Sequence, residues 1–368
     1  MHKLLILGAG KIGSLITSLL ANSGSYNIHL CDINIKKGSS NYTQLKSLVK
    51  PPHKLTLTGL DVSKRDALNN YISKHSFNAI ISSLPYFCNK SVVNAAVEHG
   101  ISYFDLTEDV ESTQYVILKS TDQHQAFVPQ CGLAPGFISI VAHQLMQEFD
   151  QLETVKMRVG ALPINQNNTL KYSLTWSTDG LINEYGNACS GIVNKQVKEL
   201  LPLEGYETIS IDGLQYEAFN TSGGLGTLVE TYKDRINNLN YKTLRYPGHC
   251  EMVHLLMNDL KLNEDRSTLK RILENAVPKT LQDVVIIYVS VSGYKKGELF
   301  ENNFVKKIYP GEINDRLWSA IQITTACGIC GVVDIVLNNP EKYQGLVRQE
   351  DISFNDFIHT PFGQYYSV

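Results

Sequence analysis

The sequence has little that would mark a secreted, membrane-spanning or nucleic-acid-binding chain. Its 33 basic and 36 acidic residues leave a formal net charge of −3. No global positive field therefore exists to hold nucleic acid or an anionic membrane surface. No uninterrupted apolar run reaches the ~20 residues a bilayer span requires. The opening Met1-His2-Lys3-Leu4-Leu5-Ile6-Leu7 is too short for a signal peptide, and a glycine motif follows at once. A cytoplasmic protein is the expectation. The seven cysteines are odd in number and scattered, unlike a disulfide-stapled scaffold. Cys327-Gly-Ile-Cys330 has the spacing of a redox or metal hook. It lacks a second pair and lies in a small-residue run that reads as a packed helix. The ten histidines form no zinc-ligand spacing, so no metal site is expected. Tandem repeats, coiled-coil heptads and low-complexity linkers are also missing.

What is present is a long chain with ample core material. Its 368 residues, 43% of them hydrophobic, exceed the ~100–150 residues of a usual single domain, so two domains are expected. Lys3 to Leu7 is short and continuously apolar, as a buried strand is. A glycine turn follows, then helical spacing through Ile16, Leu19 and Leu20, then a strand from Tyr26 to Asp32. Further strands are predicted at Leu55–Leu57, Asn78–Ser83, Ile101–Leu106 and Ala126–Gln130. Helices over Ser63–His75, Asn89–His99 and Gln114–Gln123 intervene. This alternation predicts an α/β fold with a Rossmann-like, doubly wound nucleotide domain.

The pattern changes after Gly132-Leu133-Ala134-Pro135-Gly136. A helix over Phe137–Glu148 leads out of the first domain. Strands are predicted at Val155–Val159, Ile209–Ile211 and Val284–Ser292, the last with Val285, Ile287, Val289 and Val291 on one face. Leu299–Ile308 would pair with it across a turn within 293–297. An α+β second domain around a more open sheet is the reading. Leu317–Val336 is predicted to be a long helix, and the asparagine-rich stretches 165–168 and 237–240 to be surface turns.

Gly8-Ala9-Gly10-Lys11-Ile12-Gly13 follows a predicted strand and opens a predicted helix. In that setting Gly8 permits the tight turn and Gly10 lets a pyrophosphate approach the backbone. Gly13 permits close packing of helix on strand, and the free amides at the helix start meet the phosphates. Lys11 and Ile12 lie within the same cofactor-binding turn. Asp32 ends the second strand, where a carboxylate accepts hydrogen bonds from the adenine-ribose diol and repels an added phosphate. This favours NAD, while Lys36 and Lys37 nearby keep NADP open. The strand-end loop Ser82-Ser83-Leu84-Pro85 is a candidate contact for the nicotinamide ribose. Asn89 either caps the next helix or binds cofactor. Gly132 and Leu133 are candidates at the nicotinamide end.

In the later half, Phe219-Asn220-Thr221-Ser222-Gly223-Gly224 places two hydroxyls against a diglycine turn, which can offer donors to a carboxylate. Arg245 can hold a carboxylate bidentately, Lys242 can receive an anion, and His249 can exchange a proton near neutral pH. A surface turn with ordinary ion pairs is the structural alternative.

Taken together, ILGAGKIG, YFDLTED, QCGLAPGF, WSTDGLINEY, EAFNTSGGLGTL and YKTLRYPGHCEM resemble the saccharopine dehydrogenase-like family, most closely its lysine 6-dehydrogenase branch. The resemblance implies a dinucleotide-binding domain over 1–135 and a substrate and oligomerisation domain over 136–312. It further implies a carboxyl-terminal return over 313–368, and a homo-oligomer. It implies hydride transfer at an amino carbon, in a cleft, with NAD or NADP. On this reading the substrate is lysine, oxidised at its side-chain amine to an imine that hydrolyses to aminoadipate semialdehyde and ammonia. The alternative is saccharopine, interconverted with the semialdehyde and glutamate. A third reading is a nucleotide-sensing protein without turnover. His249 is the first proton-transfer candidate and Asp105 the second. Arg245, Ser222 and the Gly223 and Gly224 amides would hold the substrate carboxylate, with Thr221 in the same motif. Trp176 would form an apolar wall, and Asp179 or Asp105 would attract the α-amine. For Trp176 core packing, and for Asp179 a role in capping its turn, are the structural alternatives.

Overall fold

Six strands of the amino-terminal region run in one direction: β1 (His2–Leu7), β2 (Tyr26–Asp32), β3 (Leu55–Gly59), β4 (Ala79–Ser82), β5 (Ser102–Asp105) and β6 (Ala126–Val128). In the computed structural model, which describes residues 1–367, they form a parallel sheet in the order β3-β2-β1-β4-β5-β6. The chain returns to add β17 (Gly345–Leu346) beside β6. The order reverses between β1 and β4, which is the doubly wound switch point where ligands bind at the carboxyl ends of strands. The central strand β1 is continuously apolar because helices cover both faces of such a sheet; Leu4, Leu5, Ile6 and Leu7 are fully buried.

The helix Asn89–His99 has its expected bounds, ending at Gly100 in the left-handed region. The helix predicted over Gln114–Gln123 instead spans Val110–Lys119, because Asp109 caps it by accepting the Ser112 amide. A short helix, Ser40–Lys46, capped by Ser39, has too little apolar periodicity to be seen in sequence.

The chain divides into two units. The first comprises residues 1–137, 313–316 and 322–368; the second comprises 138–312 and 317–321. The second is built on β7 (Gln151–Pro163), β8 (Cys189–Val193), β9 (Gln196–Leu200), β10 (Glu207–Ile211), β11 (Leu214–Asn220), β12 (Ile236–Arg245), β13 (Asp283–Lys295) and β14 (Glu298–Ile308). Its mixed sheet runs β10-β11-β12-β7-β13-β14, with β8 and β9 attached through β12. Val285, Ile287, Val289 and Val291 of β13 are all fully buried, as the alternation predicts. The β13–β14 turn is tighter than expected: Lys295 pairs with Glu298 around Lys296 and Gly297, both at positive φ, the geometry of a two-residue hairpin turn. Residues 237–240 are not a surface turn. They lie inside β12, where Asn237 donates to Glu153 and Asn238 accepts from the Asn194 amide.

The strand β16 (Arg316–Trp318), paired with β15 (Gly311–Ile313), overlaps the first two residues of the stretch predicted as a long helix. The helix itself spans Ala320–Asn338. Its 19 residues are apolar enough to cross a membrane by length and composition, yet 83% of its most apolar 18-residue stretch is buried within the fold. Its small residues have a packing reason. A Cβ on Gly328 would meet the Gly132 carbonyl oxygen at 2.7 Å, and one on Gly331 would meet the Phe357 ring at 2.6 Å. Cys327 and Cys330 are fully buried free thiols, held protonated by that burial. No cluster of metal-ligating side chains exists among the described residues.

Candidate active site

The glycine loop leaves β1 with its first turn fixed by a Gly8 amide donating to the Cys31 carbonyl at 2.8 Å. Gly8 has φ +99°, and a Cβ there would lie 2.5 Å from the Ser83 carbonyl oxygen; one on Gly13 would lie 2.0 Å from the Gly8 oxygen. Both glycines are therefore required by the fold. Gly10 differs: its position opens onto free space, with nothing within 4 Å of a Cβ. It caps the helix Lys11–Asn22, which begins with no acidic residue in its first turn. Open backbone at a helix start, without a competing anion, fits a diphosphate. Lys11 is exposed at the start of that helix, and Ile12 is half-buried beside it.

Asp32 stands where the fingerprint requires it, but both its oxygens are already used. One accepts the Ala9 amide at 2.9 Å, the other the Asn34 amide at 2.8 Å. The carboxylate thus ties the glycine loop to the turn after β2. Lys36 and Lys37 are exposed in that turn. Ser83 donates its amide to Leu7, which sets the Ser82–Pro85 turn against the glycine loop. Ser82 itself is buried and donates to the Asn89 side-chain oxygen at 2.7 Å. Asn89 is therefore a strut between β4 and its helix rather than a cap.

Asp105 ends β5, fully buried. One oxygen accepts the Thr107 and Gln130 amides at 3.0 and 2.9 Å; the other accepts the Tyr103 hydroxyl at 2.8 Å. Burial is the largest influence on its carboxyl, raising its pKa to about 6 against the hydrogen bonds that favour ionisation. The Asp105 carbonyl also accepts the Cys131 amide at 2.8 Å. From the other end of the chain, Gln349 donates to the Pro129 carbonyl at 2.8 Å and reaches the Cys131 sulfur at 3.4 Å. Asp105 and Gln349 thus hold the turn in which Gln130 takes a positive φ of 66°. That turn leads into the packed loop of Gly132, Leu133 and Gly136. The geometry makes Asp105 a scaffold carboxylate, both of whose oxygens are engaged inside the protein. Cys131 is buried with its thiol pushed well up, chiefly by burial.

In the second unit, Arg245 and His249 are brought together around a residue that sequence reasoning passed over. Arg245 Nε donates to the Tyr185 hydroxyl at 2.8 Å, and His249 Nε2 lies 2.9 Å from the same oxygen. His249 Nδ1 lies 2.7 Å from the Leu170 carbonyl, which can only accept. The proton therefore sits on Nδ1, Nε2 accepts, and Tyr185 relays one hydrogen bond from guanidinium to imidazole. Arg245 also donates to Thr243 Oγ1 at 2.7 Å and to the Leu244 carbonyl at 2.8 Å. Its charge lies over the Tyr172 ring, 5.0 Å from the centroid, and 3.9 Å from a Glu184 oxygen. Burial, then the Arg245 charge, push the His249 pKa down to about 3 despite the Leu170 bond. His249 is thus a neutral, buried link with both nitrogens engaged. Arg245 is an internal strut instead of a free carboxylate fork. A small apolar cavity is lined by Tyr172, Tyr185, His249, Val253 and Met257.

Trp176 joins the same cluster, donating from its indole to the Tyr172 hydroxyl at 3.2 Å. Ser222 joins through Asn183 and Glu184, whose carbonyls accept its hydroxyl and amide, each at 3.0 Å. Thr221 is buried with its hydroxyl unpartnered. Gly223 turns at φ +87°, and Gly224 packs where a Cβ would meet the Tyr241 ring at 2.3 Å. Asp179 lies apart: it pairs with Lys270 at 2.7 Å on an exposed helix face, while Ser177 caps the turn by accepting the Gly180 amide. Lys242 is paired with Glu207 at 2.8 Å. Tyr185 and Glu184 stood inside the quoted WSTDGLINEY segment, at helical spacing from Leu181 and Ile182; that spacing was the available signal. Glu217 had none. It accepts the Gly248 and Cys250 amides at 2.7 and 2.5 Å and so fixes the turn that presents His249.

Two protein-family descriptions match the chain end to end. Residues 4–131 match the saccharopine dehydrogenase NADP binding domain and residues 132–364 the saccharopine dehydrogenase C-terminal domain. Among curated proteins, the NADP-dependent, L-glutamate-forming saccharopine dehydrogenase of Schizosaccharomyces pombe is 23% identical over 276 residues, covering 70% of this chain and 58% of that protein. The same-named protein of Pyricularia oryzae is 23% identical over 296 residues, covering 74% and 60%. The chain thus spans about three fifths of the length of these relatives. Among solved structures, the apo L-glutamate-forming saccharopine dehydrogenase of Saccharomyces cerevisiae superposes with a TM-score of 0.78 at 17% identity, covering 100% of this chain and 98% of that one.

Proposed function

Because the chain belongs to the saccharopine dehydrogenase family of NAD(P)-dependent oxidoreductases, we propose that it interconverts saccharopine, NADP and water with L-glutamate, aminoadipate semialdehyde, NADPH and a proton. The observation that carries this reading is the pair of family matches, which abut at 131/132 and run from residue 4 to 364. The relatives' names favour saccharopine over free lysine, so the lysine 6-dehydrogenase reading becomes the second choice. NADP is preferred over NAD on two grounds. The nucleotide-domain match is to an NADP-binding description. In the structure, the Asp32 oxygens are turned onto Ala9 and Asn34, while Lys36 and Lys37 are exposed in the adjoining turn, where a ribose phosphate would need cations.

The residues divide the work as follows. Gly10 and the amides opening the helix Lys11–Asn22 receive the diphosphate. Asp105 and Gln349 fix the Pro129–Gly136 loop against which the nicotinamide end is held. The bound dinucleotide supplies a two-electron acceptor or donor. Tyr185, Arg245 and His249 hold the substrate unit's core in one arrangement, so that the Thr221–Gly224 turn keeps its shape. That turn meets a substrate carboxylate through the Gly223 and Gly224 amides and the Thr221 hydroxyl.

Purified protein is tested in both directions with both cofactors. Saccharopine-dependent reduction of NADP, and glutamate-dependent oxidation of NADPH by the semialdehyde, are the expected activities. Reduction of NAD by lysine, with saccharopine inert, would overturn the substrate assignment.

A further inference from the structure

Neither proton-transfer candidate from the sequence has a free site: both nitrogens of His249 and both oxygens of Asp105 are engaged inside the protein. A neighbouring carboxylate is engaged only by its own backbone amide. The loop after β5 is pinned on both sides of Glu108. Asp105 accepts the Thr107 amide at 3.0 Å, Thr107 Oγ1 accepts the Asp109 amide at 3.1 Å, and Asp109 accepts the Ser112 amide at 2.7 Å. The other side chains able to accept hydrogen bonds in this loop hold its shape. Glu108, half-buried, has its carboxylate bonded to its own backbone amide and makes no hydrogen bond or ion pair to any other described residue.

Its place in the sheet gives this meaning. β5 lies between β4 and β6. The loop after β4 packs on the glycine turn, and the loop after β6 is Cys131–Gly136. The loop bearing Glu108 leaves the same carboxyl edge between them, the edge at which open parallel sheets bind ligands. We propose that Glu108 is the residue that takes the proton from the substrate's amine nitrogen in oxidation and returns it in reduction. This rests on the dehydrogenase reading above.

In the oxidative direction the Glu108 carboxylate accepts one N–H proton of the protonated secondary amine, and the bonding pair stays on nitrogen. That pair forms the C=N bond as the adjacent C–H bond breaks, its electrons leaving as hydride to the oxidised nicotinamide. Water adds to the iminium carbon with loss of one proton to solvent. The carbinolamine then collapses to aldehyde and amine: the C–N bond breaks, and the nitrogen receives both the hydroxyl proton and the proton returned by Glu108, leaving as an ammonium. Burial, followed by the charges of Asp109 and Asp105, raises the Glu108 pKa to about 7. That is the range in which one carboxyl can serve as base in one direction and acid in the other.

The test compares wild type with E108Q in two measurements. The first needs no substrate: the ratio of Kd for oxidised to reduced dinucleotide, from pH 5.5 to 8.5. Ionised Glu108 beside the cationic oxidised ring should lower that ratio about fivefold through pH ~7, and E108Q should abolish the change. The second is the single-turnover rate of hydride transfer with saccharopine. E108Q should slow it about 100-fold or more and remove the acid limb, with E108D intermediate and affinity for the reduced dinucleotide within about threefold of wild type. A pH-independent ratio in wild type would overturn the placement, and an E108Q rate near wild type would overturn the proton transfer. A wild type that ignores saccharopine but oxidises another amine would sink the substrate reading alone, and E108Q is then judged on that amine by the same criteria.

Discussion

Replacing Tyr185 with Phe removes one oxygen and strands two buried groups. Arg245 Nε loses its acceptor at 2.8 Å, and His249 Nε2 loses the donor at 2.9 Å. A hydrogen bond to a charged group contributes about 1.5–3 kcal/mol, and an orphaned buried neutral acceptor costs about 1–3 kcal/mol. Y185F should therefore destabilise the second unit by about 3–5 kcal/mol. Y172F is the matched control. It removes a hydroxyl from an equally buried ring, but the group it leaves is the half-buried Trp176 indole, so about 1 kcal/mol is expected. Urea unfolding followed by tryptophan fluorescence reads both, because Trp176 lies in this cluster. The midpoints should separate at unchanged slope. The double variant Y185F/H249F should lose less than the sum of its parts, since the imidazole is already without its donor. Equal losses for Y185F and Y172F, or strict additivity in the cycle, would refute the relay.

Three further outcomes follow from other parts of the molecule. G10A should fold normally yet bind dinucleotide at least tenfold more weakly by fluorescence titration, because its Cβ enters open space that the diphosphate needs. G13A should unfold at lower urea even without cofactor, its Cβ lying 2.0 Å from the Gly8 oxygen. K36A/K37A should raise the Kd for NADP about tenfold and leave that for NAD within about twofold; equal effects on both would remove those lysines from the phosphate site. For Asp105, the folded pKa of about 6 exceeds the unfolded value of ~3.9. The folded state therefore binds an extra proton between those values, and this contribution is present at low pH and lost as pH rises through ~6. The stability difference between wild type and D105N should shift against wild type by about 2–3 kcal/mol from pH 4 to 7. A shift of opposite sign in urea melts would refute it.

The nucleotide unit was legible because its signals are local. A strand buried on both faces is written as Leu4-Leu5-Ile6-Leu7, and the steric demands on Gly8 and Gly13 follow within a few residues. The second unit was less legible for a physical reason. Its strands β7 and β12 pair in parallel from 84 residues apart, and no spacing in the chain announces that. Asn237 to Asn240 read as a turn because their partners, Glu153 and Asn194, come from distant strands. The polar core was half visible. Arg245 and His249 stood out by residue type. Tyr185, which joins them, has an unremarkable neighbourhood, and only burial converts three polar side chains into a directed chain. Glu108 was hidden by Asp105, the more familiar strand-end acid, until the hydrogen bonds showed which of the two is occupied.

The seventh strand of the nucleotide sheet carries a consequence for synthesis. β17, and Gln349 that clasps Pro129 and Cys131, come from a segment made about 220 residues after the strand and loop they complete. At the usual ~5–20 residues per second of translation, about 10–40 seconds separate the first six strands from the piece that closes their edge. Throughout that interval β6 is an exposed edge strand with unpaired backbone groups, the feature that invites pairing with other chains. The nascent protein therefore carries its greatest aggregation hazard in the unit it makes first. Truncation before Gly345 should produce a chain that enters the insoluble fraction, although every residue of the glycine loop is intact.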